Sequence, residues 1–192
     1  GVMRLENLIA DIDEEMYRKI VENRSVKDKD AKDTAKIVGL SAIKYGDLSN
    51  QATKDYIFDV DRFTSFEGNT GPYILYTIVR IKSILNRYVQ EGGDLSTGKI
   101  LPAVNASEKN LMLQLSGFAA MVENAFEEKA PHKICAYIYE VSNAFNSFYH
   151  ETKILSEEDP MRKQSYIRLI TLAKRVLETS IDLLGFSAPE RM

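Results

Sequence analysis

Two groupings of side chains in this 192-residue sequence could act on another molecule. The first lies between positions 133 and 150, where Tyr139, Asn143, Asn146 and His150 recur at helical spacing with Tyr149 beside them. An aromatic ring flanked by amides offers a face on which a planar group can stack and donors and acceptors for its edge. For any one ring the alternative is amphipathic packing with the hydroxyl in water. The second grouping runs from Pro160 to Leu177 and holds Arg162, Lys163, Arg168, Lys174 and Arg175, with no acid among its 18 residues. Arg168 and Arg175 share one helical face, while Lys163 and Lys174 flank the apolar one. Such a row is either a solvated surface or a contact for phosphate, and the missing acids favour phosphate. Arg80 and Arg87 repeat the seven-residue interval on an earlier segment.

Bond-making chemistry has no such grouping. No glycine-rich phosphate loop follows a strand, and no Cys, His and Asp set has the spacing of an activated nucleophile. No catalytic residue is therefore assigned. Cys135 stands alone, so no internal disulfide can form, and it has no neighbour in sequence that would lower its pKa: an inert thiol suited to a reducing compartment. His132 and His150 are the only histidines, too few for a transition-metal site, and His132 follows Pro131 as a helix-start residue. Asp59 and Asp61 form a carboxylate pair that could hold a metal, act as acid and base, or orient a joint. The net charge of −3 does not advertise nucleic acid, so any such claim rests on local patches. With 44% hydrophobic and 28% charged residues the chain reads as globular. No apolar run approaches the roughly 18 residues that span a bilayer, and the first residues do not form a secretory signal, which points to the cytoplasm and to no membrane partner.

The elements that carry these residues are all helical. Leu5, Leu8, Ile9, Ile12, Met16 and Ile20 mark one face of a helix over 4–24. The mixed-charge run at 27–33 is a solvated helix start or an exposed loop. A second helix is expected over about 31–45, with Gly46 as its stop. Residues 47–66 form a turn-rich connector. Thr70 or Asn69 caps the next helix and Pro72 fits its first turn, where the missing amide costs nothing. Ile74, Ile78, Ile81, Leu85 and Tyr88 make its apolar stripe. After a loop at 91–105, a helix starting near Ser107 carries Leu111, Leu115, Phe118, Val122 and Phe126 and breaks at Ala130-Pro131. The helix at 133–149 buries Ile134, Tyr137, Ile138, Val141, Phe145 and Phe148, which leaves Tyr139, Asn143, Asn146 and His150 on the opposite face and Tyr149 at its edge. The last helix, 161–184, points Tyr166, Leu169, Ile170, Ala173, Leu177 and Leu184 inward and ends at Gly185. No segment alternates as a strand, and the expectation is an all-α helical bundle.

Three segments carry a resemblance: DVDRFTSFEGNTGPYILYTIVRIKSI from Asp59, KYGDLSN at 44–50 and LLGFSAPERM at 183–192. In this order they closely resemble the C-terminal part of class I arginyl-tRNA synthetases, whose anticodon-binding domain is of the DALR type. The resemblance covers essentially the whole chain. It implies a helical tail of the catalytic domain over 1–66 and the anticodon-binding bundle over 67–192. It also implies arginine-specific tRNA as partner, the catalytic domain of the same chain as neighbour, and a monomer. Gly1-Val2-Met3-Arg4-Leu5 resembles the segment just after the second catalytic signature of that family. Neither of its two ATP-handling signatures occurs in these residues, so the chain is not expected to aminoacylate alone. ATP with magnesium belongs to the parent enzyme. The resemblance places Asn143 to Tyr149 and Arg191-Met192 near the anticodon loop, sets Arg80 and Arg87 against the inner side of the tRNA, and makes Asp59 and Asp61 orienting residues that pair with Arg62 or Arg80. An unpaired anticodon base can stack on an exposed ring, so Tyr139 and Tyr149 are platform candidates beside Asn143 and Asn146. Leu75 stands where the family often has glutamine, and Lys133 where arginine is commoner. The competing reading from another class is a helical protein-interaction module whose basic helix meets an acidic partner.

Overall fold

The computed structural model describes residues 4–22 and 28–192, and among them no strand occurs. The expectations for Gly1 to Met3, for positions 23 and 24, and for Lys27 lie outside the described residues. Helices α1 (Leu5–Glu22) and α2 (Asp28–Leu48) pair antiparallel, and α1 buries Ile12, Met16 and Ile20 while Leu5 and Ile9 stay exposed. Helix α2 does not stop at Gly46. It continues to Leu48, and Gly46 faces the Phe63 ring, which would stand 3.0 Å from an added Cβ. The connector holds one short helix, α3 (Val60–Phe63), capped by the Asp59 carboxylate, which accepts from the Arg62 amide at 3.1 Å.

The joint then feeds α4 (Gly71–Gln90). Thr70 is the cap: its hydroxyl oxygen accepts from the Tyr73 amide at 3.2 Å. Asn69 instead accepts from the buried Tyr45 hydroxyl of α2 at 2.5 Å, and that hydroxyl also lies 2.9 Å from the Cys135 carbonyl. Burial pushes the Tyr45 hydroxyl pKa well up, so it stays a neutral donor. One phenol thus ties α2, the joint and a later helix together. Ile74, Ile78, Ile81, Leu85 and Tyr88 are buried as the stripe requires. Each isoleucine or leucine fully withdrawn from water contributes about 1.5–3 kcal/mol before entropy is counted.

The segment expected as one helix after the loop is two, α5 (Ala106–Ser116) and α6 (Phe118–Glu127), broken at Gly117. The break turns the apolar stripe away from the core. Leu111 and Leu115 are buried, whereas Phe126, expected inside, is 83% exposed. Helix α7 (Pro131–Glu151) is the centre of the bundle and packs against α2, α4, α5, α6 and α8 (Pro160–Leu183). It buries Ile138, Val141, Phe145 and Phe148, with Ile134 and Tyr137 only partly covered. The inward residues expected for α8 are all buried, and Gly185 follows at φ +81°, a conformation that favours glycine. The hydrophobic core is continuous from α1 and α2 into the bundle.

Candidate nucleic-acid interface

The polar edges of α4 and α7 meet in a groove. Tyr73 donates its hydroxyl to Asn143 Oδ1 at 2.8 Å and receives the Asn146 amide at 2.9 Å, while that amide also reaches Thr77 at 3.3 Å. Asn146 Oδ1 in turn accepts from Arg80 Nη1 at 2.5 Å. Burial raises the Tyr73 pKa, with the Asn146 bond acting against it, so the hydroxyl keeps its proton and the chain of bonds its direction. Asn143 and Asn146 therefore do not project from a free face opposite the core. They face α4 and are half-buried. Tyr139 also turns to α4, its ring edge-on to Tyr73 at 5.8 Å.

These bonds fix Arg80. Its guanidinium carbon lies 4.7 Å from the Tyr76 ring centroid and 5.0 Å from that of Tyr149, so one cation sits against two rings. Each such contact contributes about 0.5–1 kcal/mol at an exposed site. Tyr149 is stacked on buried Phe145 at 6.1 Å and 25°. Tyr76 and Tyr149 remain 41% and 38% exposed, so the rings are oriented from behind and open in front. Asp59 and Asp61 take no part: the expected ion pair with Arg62 or Arg80 is not made, since Arg62 meets Asp59 through its backbone amide as the α3 cap and Arg80 bonds Asn146. Beside the cluster, Ser83, Arg87, Tyr149, His150, Thr152 and Lys153 line an open cleft of about 430 Å³. Arg87 projects into solvent and pairs with Glu91 at 2.9 Å.

The basic stretch of α8 divides. Arg162 donates to the Pro102 carbonyl at 2.9 Å, and Arg168 to the Leu95 carbonyl at 2.8 Å, so both clasp the 91–105 loop. Arg162 also lies 3.6 Å from the fully buried Glu108. Lys174 pairs with Glu178 at 2.9 Å. Main-chain carbonyls and the acids Glu108 and Glu178 thus engage three of the five basic side chains. Arg175 is exposed, and with Lys99, Arg168 and Thr171 it borders a second open cleft of about 470 Å³ against the loop.

Against known families, residues 74–192 match the DALR anticodon binding domain and residues 1–60 match the class I (R) tRNA synthetase catalytic domain. The chain belongs to the DALR anticodon-binding family. An arginine–tRNA ligase of Agathobacter rectalis is 66% identical over 200 residues, covering all of this chain and 34% of that protein. The corresponding protein of Alkaliphilus oremlandii is 54% identical, with 32% of its length covered. The solved Thermus thermophilus arginyl-tRNA synthetase superposes with a TM-score of 0.90 at 27% identity, over the whole of this chain and 33% of that one. The chain therefore spans about a third of the length of the curated relatives it matches.

Within the DALR domain the most consequential residue that sequence reading missed is Lys82. It is 7% exposed, and its ammonium lies 2.7 Å from Glu190, 3.3 Å from the Pro189 carbonyl and 3.5 Å from Glu178. Proximity to Lys82, by hydrogen bond and by charge, holds the Glu190 carboxyl below the usual range. The available signal was a lysine at the margin of the apolar stripe of α4, one residue after Ile81. Arg191 is exposed, while Met192 is half-buried against the core. His132 is half-buried in the first turn of α7. Cys135 is buried, and burial pushes its thiol up to about 12, as suits an inert thiol.

Proposed function

We propose that this chain is the anticodon-reading part of an arginine–tRNA ligase, docking the anticodon loop so that the distant acceptor end reaches a catalytic site elsewhere in the protein. The observation that carries the reading is the Arg80 guanidinium held between the Tyr76 and Tyr149 rings in the part matched by the DALR family. Unstacked bases can lie on such rings at about 1–3 kcal/mol per base. Arg87, Arg168, Arg175 and Arg191 supply positive charge for the backbone, and Tyr139, Asn143 and Asn146 act from behind by setting the groove. Residues 1–66 would be the tail of the catalytic domain and 67–192 the anticodon-binding bundle. The whole enzyme would join arginine to its tRNA using ATP and magnesium, as a cytoplasmic monomer serving protein synthesis. Neither family signature for ATP occurs in the sequence, so no chemical step is assigned to this chain.

Fluorescence anisotropy tests this with an arginine anticodon stem-loop and a loop-scrambled control at two salt concentrations. The expected result is a preference for the cognate loop that Tyr149→Ala abolishes. Equal, steeply salt-dependent binding to both loops would mean that the chain supplies charge and reads no base.

A further inference from the structure

Helix geometry sets Arg80 and Lys82 on opposite edges of the exposed face of α4. Successive residues advance by about 100°, so the two lie about 200° apart, and the outward arc between them carries Tyr76, Ser83 and Asn86. All three are exposed. The Arg80 edge borders α7 and Tyr149, whereas the Lys82 edge borders α8 and the segment after it. That segment runs as a strap. It leaves α8 at Gly185, whose carbonyl accepts from Lys44 of α2 at 2.5 Å, buries Phe186 and Pro189, and reaches Lys82 through Glu190. Next come Arg191, which is exposed, and Met192, which is half-buried against the core; the chain enters them from Glu190 at the Lys82 edge.

A buried ammonium is a weak source of stability, because the lost hydration offsets most of its attraction to the partner. Its geometric effect is larger. Lys82 touches the strap twice, once at a main-chain carbonyl and once at a side chain, which fixes direction as well as place. We infer that Lys82 is a positioning residue that holds segment 186–192 along α4 so that Arg191 and Met192 meet RNA lying on the exposed face. The inference rests on the anticodon-reading function proposed above.

Lys82→Met keeps the aliphatic stem and strands no buried charge: Glu178 keeps Lys174, and Glu190, with 82% of its side chain exposed, returns to water. The variant should fold. Two measurements on the 192-residue chain decide the matter. Nitrogen-15 backbone order parameters of the Ser187, Ala188, Glu190, Arg191 and Met192 amides should fall in Lys82→Met and, less, in Glu190→Gln. Affinity for the cognate stem-loop should fall about tenfold in Lys82→Met, the scale of two long side chains that must be ordered on binding, with the salt dependence unchanged. Loss of a direct phosphate contact would instead lower the salt slope by about 0.7–0.9, and that result would overturn a positioning role. Lower order parameters with unaltered affinity would overturn it too, as would unaltered order parameters. A wild-type chain with no preference for the cognate loop refutes the anticodon reading itself, before any variant is made.

Discussion

Gly71 is the position where one methyl group should do the most damage. It is the first residue of α4, buried where the joint crosses α2. A Cβ placed there would stand 2.6 Å from the Ser41 carbonyl carbon, closer still to its oxygen, and 3.1 Å from the Ala42 nitrogen. These are main-chain atoms of a buried helix, so no side chain can swing aside. Restoring ordinary contact requires α2 and α4 to separate by roughly 1 Å. Overpacking of this kind costs about 1–3 kcal/mol, and Gly71→Ala belongs at the upper end. For a chain of 192 residues each kcal/mol moves the melting temperature by about 2–4 °C, so a fall of about 5–10 °C is expected. Circular dichroism at 222 nm during a thermal scan reads it. Gly117→Ala is the control: that glycine has φ −80°, and its nearest neighbour to a Cβ is 3.5 Å away. Its substitution should stabilise by about 0.4–1 kcal/mol through the unfolded chain. The close approach of α2 and α4 is refuted if Gly71→Ala melts within a degree of wild type.

Two further outcomes follow from the interior. Tyr45→Phe removes a buried hydroxyl that serves Asn69 and the Cys135 carbonyl, and should cost about 1–3 kcal/mol, read as a lower urea midpoint at unchanged slope; an unmoved midpoint would contradict the tie. Cys135, its thiol pushed up to about 12 by burial, should be alkylated by iodoacetamide at pH 8 only at the rate of unfolding. Labelling of the native chain as fast as that of a small thiol would place the residue at the surface.

The stripes of α4 and α8 were legible because a 3.6-residue period separates inside from outside along one helix. Most of the α7 core was read the same way, while the stop at Gly185 and the choice between Thr70 and Asn69 as cap came from residue type. What periodicity cannot express is which neighbour a polar edge will meet. Asn143 and Asn146 lie off the core stripe of α7, yet α4 presents Tyr73, Thr77 and Arg80 to them, and the amides turn inward. Gly46 carries a stop signal, but Phe63 covers it and the helix runs on. Phe126 keeps the expected spacing from Leu115, but the break at Gly117 rotates the second half of the pattern out of register. Of the Arg80 cluster, Arg80 and Tyr149 are among the candidates read from the sequence, while Tyr76 is not, since only the fold sets it against the other side of the guanidinium.

The clasp on the 91–105 loop has a consequence of its own. Arg162 and Arg168 grip the carbonyls of Pro102 and Leu95, and Ser165 accepts from the Leu101 amide at 2.8 Å. All three bonds address the polypeptide backbone, which every residue type shares. Apart from Gly92 and Gly98 at positive φ, Gly93 against the Tyr88 ring, Leu95 packed on the core and Asn105 capping α5, the loop can therefore be rewritten in side-chain identity without loosening its attachment to α8. That makes it a place where the bundle can acquire a new epitope, label or recognition sequence while the helices beneath keep their arrangement.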